Sequence, residues 1–403
     1  MSAPDWVTGI HISMSKIISI EPAIDPTARP TFLLDWELTL KCNLDCSYCP
    51  SEGPWRSHDN KSPHPPLDEC LASIDFMYTY VDLYMAKKPR WSRAVVLNIY
   101  GGESLFHPNI VEVLEQVKER HKSYQDRWPL TVTCTTNAVV GPSLMSRIAD
   151  FIDEFTVSYH CENLVKQKQQ VLKNMLLLKE KNRRLKCIVL MHGNYDYWPE
   201  LEEVISFCQA NDIKYLPRQL DGDVNSNYGQ KQITWFQNLW QTRSPQKSKL
   251  RQTELTDGQV TDSQLSRVGR ACCGGRLMCT NSDFRQPIFY VPNNHFEGWS
   301  CSVNWFFLAI RQSTGEIFVN KDCRMNFDGT MSPLGFLKNS AHLLTQTQQQ
   351  LEQGVPFMIC ARERCYCGLC APKAQTPEQL LDIMKKHVAD GHVESCKSTN
   401  PSV

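Results

Sequence analysis

Neither sign of charge prevails in this 403-residue chain: 43 Lys and Arg stand against 43 Asp and Glu, a formal net charge of zero. A protein that grips long nucleic acid usually carries a basic excess, because it binds by displacing phosphate counterions. Long nucleic acid is therefore disfavoured as a partner. Long apolar runs are missing too. The longest, residues 305–310 and 187–191, are strand-sized and fall short of a bilayer span, so no membrane partner is expected. The N-terminus, Met1-Ser-Ala-Pro-Asp-Trp6, has no basic flank and no apolar stretch behind it. That gives the expectation of a cytoplasmic protein without a secretory signal. No internal repeat is evident.

Cysteine, by contrast, is plentiful: there are eighteen. In a reducing compartment, clustered cysteines hold metal or iron–sulfur more often than they form disulfides. One group is Cys42, Cys46 and Cys49, and a second is Cys272, Cys273 and Cys279. Cys301 and Cys323 follow, then Cys360, Cys365, Cys367 and Cys370. The scattered Cys70, Cys134, Cys161, Cys187, Cys208 and Cys396 read mostly as small core residues.

Hydrophobic periodicity predicts strands over residues 34–41, 95–100, 130–136, 154–158, 185–191 and 213–217, with helices over 67–86, 109–118, 143–151, 165–181 and 199–210 between them. Six alternating units imply an α/β fold with a parallel sheet and right-handed crossovers. They are too few to close an eightfold barrel, so a partial barrel or open sheet is expected, with function at the carboxyl ends of the strands. Residues 222–268 are rich in Gln, Ser, Thr, Asn and Lys and read as a linker with some helix near 232–241. A last helix is expected from Thr376, with Pro377 at its first position and Gln379 completing a capping box. The expected divisions are an N-terminal extension 1–32, a core 33–221, the linker 222–268 and a cysteine-rich domain 269–403.

A [4Fe–4S] cube needs four protein ligands, usually thiolates. Cys42-x3-Cys46-x2-Cys49 supplies three from eight consecutive residues. One iron is then open to an exogenous chelate, much as a catalytic zinc keeps one position open. Zinc is the alternative, and three cysteines alone would leave it a ligand short. Asn98-Ile-Tyr-Gly101-Gly102-Glu103 closes the next strand, and glycines let backbone carbonyls come close to an ammonium group.

The cysteine spacing, with Tyr48 before the third cysteine, resembles the signature of the radical S-adenosylmethionine superfamily, and the resemblance extends over about residues 33–220. It implies a partial (β/α)6 TIM-like barrel whose [4Fe–4S] cluster is held by Cys42, Cys46 and Cys49. S-adenosylmethionine would chelate the open iron and be cleaved reductively to a 5′-deoxyadenosyl radical that abstracts hydrogen. Tyr48 would pack against the adenine, and Gly101, Gly102 and Glu103 would receive the methionine amino group. Ser158 would meet the ribose, Val189 and Met191 would flank the adenine, and Arg218 would meet the cofactor carboxylate. Thr136-Asn137-Ala138 resembles a Thr-Asn-Gly often found at that strand end. His160 and His192 also fall at strand ends, where a structural hydrogen bond is the commoner role, and no catalytic residue is singled out.

The later cysteines loosely resemble the auxiliary-cluster extensions, called SPASM or twitch domains, of radical enzymes that modify peptides and proteins. The resemblance implies one or more auxiliary iron–sulfur clusters, with zinc as the alternative. Cys360, Cys365, Cys367 and Cys370 would form one ligand group. Cys301 and Cys323 would join Cys272, Cys273 or Cys279 in another. It also implies a peptide or protein side chain as substrate and a reductant such as flavodoxin or ferredoxin. A small metabolite or nucleoside is the alternative substrate, and a zinc-binding scaffold without catalysis is the rival of a different class.

Overall fold

The computed structural model describes residues 17–22, 31–49, 62–86, 94–220, 228–242, 247–256, 259–268, 270–272, 276–278, 296–320, 326, 330, 332–353, 357–361 and 371–385. After strand β1 (Ile17–Pro22), six strands alternate with five helices: β2 (Thr31–Thr39), α1 (Leu67–Met85), β3 (Ala94–Gly101), α2 (Ile110–His121), β4 (Leu130–Thr136), α3 (Pro142–Ile148), β5 (Glu154–Tyr159), α4 (Val165–Glu180), β6 (Arg184–Met191), α5 (Trp198–Ala210) and β7 (Lys214–Gln219). Strands β2 to β7 pair parallel, each with the next in sequence. Sequential order with right-handed crossovers keeps the helices on one face, which is the winding of a β/α barrel. Six units leave it open, as a partial (β/α)6 barrel.

Alternation along the strands decides what each face carries. Phe32, Leu34, Trp36 and Leu38 of β2 are buried in the apolar core, and the Phe32 ring lies 5.7 Å from that of Tyr84 in α1. Val95, Leu97 and Ile99 of β3 and Phe155, Val157 and Tyr159 of β5 continue this core. Burying each such side chain contributes about 1.5–3 kcal/mol. The opposite face is polar near the middle of the sheet. Asn98 donates to Asp35 at 2.7 Å, and the Thr133 hydroxyl donates to Asn98 at 3.2 Å, tying three neighbouring strands together. The scattered Cys70, Cys134, Cys161, Cys187 and Cys208 are all buried; Cys396 lies outside the described residues.

The stretch read as a linker carries helix α6 (Gln230–Thr242) and a hairpin of β8 (Lys247–Thr256) and β9 (Gln259–Val268), followed by short β10 (Arg270–Cys272) and β11 (Arg276–Met278). Beyond it come β12 (Ser300–Cys301), β13 (Phe307–Arg311), β14 (Glu316–Phe318), β15 (Gly335–Phe336), α7 (Ser340–Gln353), β16 (Met358–Ile359), β17 (Lys373–Ala374) and α8 (Pro377–Lys385). A second sheet runs in the order β16-β12-β17-β1-β8-β9. The trio β13–β15 instead extends the first sheet, with β13 parallel to β2. Trp36 donates from Nε1 to Gln312 at 3.0 Å, and Arg311 pairs with Glu37 at 2.7 Å across that junction. The capping box expected at the last helix is present: Thr376 and Gln379 exchange hydrogen bonds of 3.2 and 3.3 Å. Among the described residues no helix is long and apolar enough to cross a membrane.

Candidate active site

The three cysteines sit on the loop that leaves the carboxyl end of β2, and all are half-buried. A turn closes the loop, with the Cys49 N–H donating to the Cys46 carbonyl at 3.0 Å. Leu44 is buried beneath it. Burial pushes the Cys42 thiol up to about 11, and Glu103 and Cys49 nearby add to the rise. Burial and the neighbouring Cys49 and Cys42 push Cys46 up to about 12. Protonated thiols so placed would have to release their protons to solvent in order to bind a metal centre. Among the described residues no three Cys, His, Asp or Glu side chains already stand at metal-holding distances.

The adjoining end of β3 fits against the base of this loop backbone to backbone. The Gly102 N–H donates to the Thr39 carbonyl at 2.8 Å, and the Glu103 N–H donates to that of Lys41 at 2.9 Å. A Cβ on Gly101, whose φ is +151°, would stand 2.1 Å from the Thr39 carbonyl oxygen. One on Gly102 would stand 2.4 and 2.5 Å from the oxygens of Leu40 and Lys41. Only glycine permits this approach. The Glu103 side chain turns inward and is almost fully buried. Its carboxylate accepts from the Leu105 N–H at 3.0 Å, the Thr136 hydroxyl at 2.8 Å and the Asn137 N–H at 2.6 Å. Burial still outweighs these bonds and raises its pKa to about 7.

The end of β4 also holds the loop. Asn137 donates to the Asn43 side chain at 2.8 Å, and Asn43 donates to the Val139 carbonyl at 2.8 Å. Ala138 has a φ of +56°, the left-handed region that favours the glycine of a Thr-Asn-Gly. After β5, Nδ1 of His160 stands 2.8 Å from the Tyr48 hydroxyl and 3.3 Å from the Cys46 sulfur. Burial lowers the His160 pKa to about 4, so its ring is neutral near pH 7. Glu162 accepts from both the N–H and the hydroxyl of Ser47.

The structure therefore brings Cys42, Cys46, Cys49, Tyr48, Gly101, Gly102 and Glu103 to one end of the sheet. Ser158 and Arg218 lie at the carboxyl ends of β5 and β7, Ser158 half-buried and Arg218 exposed. Val189 and Met191 do not flank a cavity there. Both are fully buried in the apolar core with Leu201 and Val204 of α5, so the strand's other face carries Ile188 and Leu190. The contacts made by Asn43, Ser47 and Glu162 carry no motif, and only the strand-end position of His160 hinted at them.

Of the later cysteines, Cys272 falls in β10, while Cys273, Cys279, Cys323, Cys365, Cys367 and Cys370 lie outside the described residues. Cys301 and Cys360 are both buried. Ser300 pairs with Ile359 and Cys301 with Met358, which places Trp299 opposite Cys360. Residues 299 and 301 share a face, so Cys301 and Cys360 share it too, at diagonal positions about 7 Å apart. Cys301 and Cys360, 59 positions apart in sequence, thus lie on one face of the second sheet.

No family model matches the chain, and no curated protein does. Among solved structures, native anSMEcpe with bound AdoMet is similar at 13% identity and a TM-score of 0.45, over 80% of this chain and 82% of that one. Native anSMEcpe with bound AdoMet and Kp18Cys peptide is similar at 15% identity and a TM-score of 0.39, over 52% of this chain and 59% of that one. In that second comparison the chain spans about three fifths of the protein it matches. Likeness this distant leaves function to the residues of the site.

Proposed function

We propose that this protein is a radical S-adenosylmethionine enzyme. The observation that carries the reading is the placement of three thiols on one eight-residue loop at the carboxyl end of the first parallel strand, with a side-chain-free Gly101-Gly102 ledge pressed against its base. The donor set suits a cubane with one open iron better than zinc, which would lack a fourth ligand. Cys42, Cys46 and Cys49 would hold the [4Fe–4S] cluster. When bound, the cluster would supply one electron to the sulfonium of S-adenosylmethionine, breaking its C5′–S bond to release methionine and a 5′-deoxyadenosyl radical that would take hydrogen from the substrate.

The chain's own part is to seat and orient. The Gly101-Gly102 backbone receives the methionine amino group, and Glu103 serves as a strut between the ends of β3 and β4, since its carboxylate is occupied by three protein donors. Ser158 and Arg218 are proposed for the ribose and the cofactor carboxylate, and Tyr48 for the adenine. The resemblance of the later cysteines to auxiliary-cluster extensions supports a peptide or protein side chain as substrate, with a flavodoxin- or ferredoxin-like reductant. Cys301 and Cys360 would belong to one auxiliary site.

Anaerobic reconstitution with iron and sulfide tests this. About four or more irons per chain are expected, with a reducible cluster signal and release of 5′-deoxyadenosine on adding dithionite and S-adenosylmethionine. Cys46→Ala should abolish that release. A chain that takes up only zinc and releases no 5′-deoxyadenosine would be a scaffold instead.

A further inference from the structure

The turn after β5 touches three consecutive residues of the cysteine loop, Cys46, Ser47 and Tyr48, and the chemistry described so far makes no use of it. Glu162 accepts from the Ser47 N–H at 2.7 Å and from the Ser47 hydroxyl. It also faces Nε2 of His192 at 3.2 Å. The Asn194 N–H donates to Nδ1 of His192 at 2.9 Å, so the His192 proton sits on Nε2 and points at Glu162. Glu162 is thus braced from the end of β6 while it grips the loop.

Two residues earlier, Nδ1 of His160 lies 3.3 Å from the Cys46 sulfur and 2.8 Å from the Tyr48 hydroxyl, with the Tyr48 and His160 rings parallel and their centroids 5.9 Å apart. A thiolate on iron has no proton to give and can only accept. The groups able to donate to it here are the His160 N–H and the Tyr48 O–H. Donors directed at a cluster sulfur stabilise the more negative, reduced state and raise its potential.

From this juxtaposition we propose that residues 160–162 form the seat of the cluster: Glu162 fixes the loop through Ser47, and His160, with Tyr48, sets the reduction potential through the Cys46 sulfur. Both are positioning residues, and the proposal rests on the iron–sulfur reading of the loop.

The parent chain and the variants Glu162→Ala, His160→Phe and His160→Asn are reconstituted anaerobically. Two quantities are read without turnover: the rate of iron loss to a chelator, and the midpoint potential from an electron paramagnetic resonance titration. Glu162→Ala should lose iron about tenfold faster, and the loss of its negative charge beside Cys46 should move the potential upward, opposite in sign to the His160→Phe shift. His160→Phe keeps the stacked ring but not the donor. It should retain iron, while its reduced-to-oxidised ratio at fixed potential falls about tenfold, a negative shift of about 59 mV for one electron. His160→Asn, whose amide N–H reaches the place of Nδ1, should recover most of that ratio. Circular dichroism checks folding, and Glu162→Gln, which keeps one acceptor oxygen, replaces Glu162→Ala if the latter does not fold. A loaded parent with variants matching it in both quantities overturns this proposal alone. A parent that takes up no cluster overturns the enzyme reading and this proposal with it.

Discussion

At the scale of single residues, Gly102 and Glu103 are the informative pair. Gly102→Ala would push a methyl onto two carbonyl oxygens, at 2.4 and 2.5 Å, both belonging to backbone that cannot swing aside. Iron uptake should fall severalfold while the far-ultraviolet circular dichroism persists. Glu103→Gln leaves a buried donor facing an amide N–H and should cost about 1–3 kcal/mol in urea unfolding. The pH dependence of that cost follows from the carboxyl's rise to about 7 from 4.5. The folded chain binds this proton more tightly than the unfolded one, so the residue's contribution is full below about 4.5 and gone above about 7. The gap between parent and Glu103→Gln should therefore be larger at pH 5 than at pH 8. Gly-Gly-Glu was legible in the sequence as a strand end beside the cysteine loop, but the contacts that hold it there were not. The contacts that demand glycine come from Thr39, Leu40 and Lys41, some sixty residues away, and no pattern along one strand announces a neighbour's carbonyl.

At the scale of elements, all six parallel strands were legible to within a few residues, because apolar runs punctuated by helical periods leave little choice. Which way a strand faces was harder to read. Ile188-Val-Leu-Met191 is apolar on both sides, as parallel strands often are, so nothing in it distinguishes core from cavity. The structure puts Val189 and Met191 under the helices. Met191→Ala should accordingly cost about 2–5 kcal/mol in denaturant unfolding, with S-adenosylmethionine affinity, measured by calorimetry on the loaded chain, left within about twofold. The β8–β9 hairpin escaped notice for the opposite reason. Its sequence is mostly polar, and without an apolar alternation a strand cannot be told from a linker.

At the scale of the whole molecule, burial sets the response to acid. It lowers the pKa of His64 and His160 to about 4 and also lowers those of His107 and His121. Each of these histidines binds its proton less tightly folded than unfolded, so stability is lost as pH falls below about 6.5, and for His64 and His160 the loss runs down to about 4. Among the described residues four such groups oppose the one raised carboxyl, Glu103, and urea midpoints should drop between pH 7 and pH 5. The pairing of β13 with β2 has a consequence in time. Trp36 and Gln312 are 276 residues apart, yet they share a bond across the strand that bears the cysteine loop. A ribosome must therefore finish about three quarters of the chain before that strand gains its second neighbour. On the iron–sulfur reading of the loop, loading would wait for the late segment, and a product ending at residue 295 should take up little iron although Cys42, Cys46 and Cys49 are all present in it.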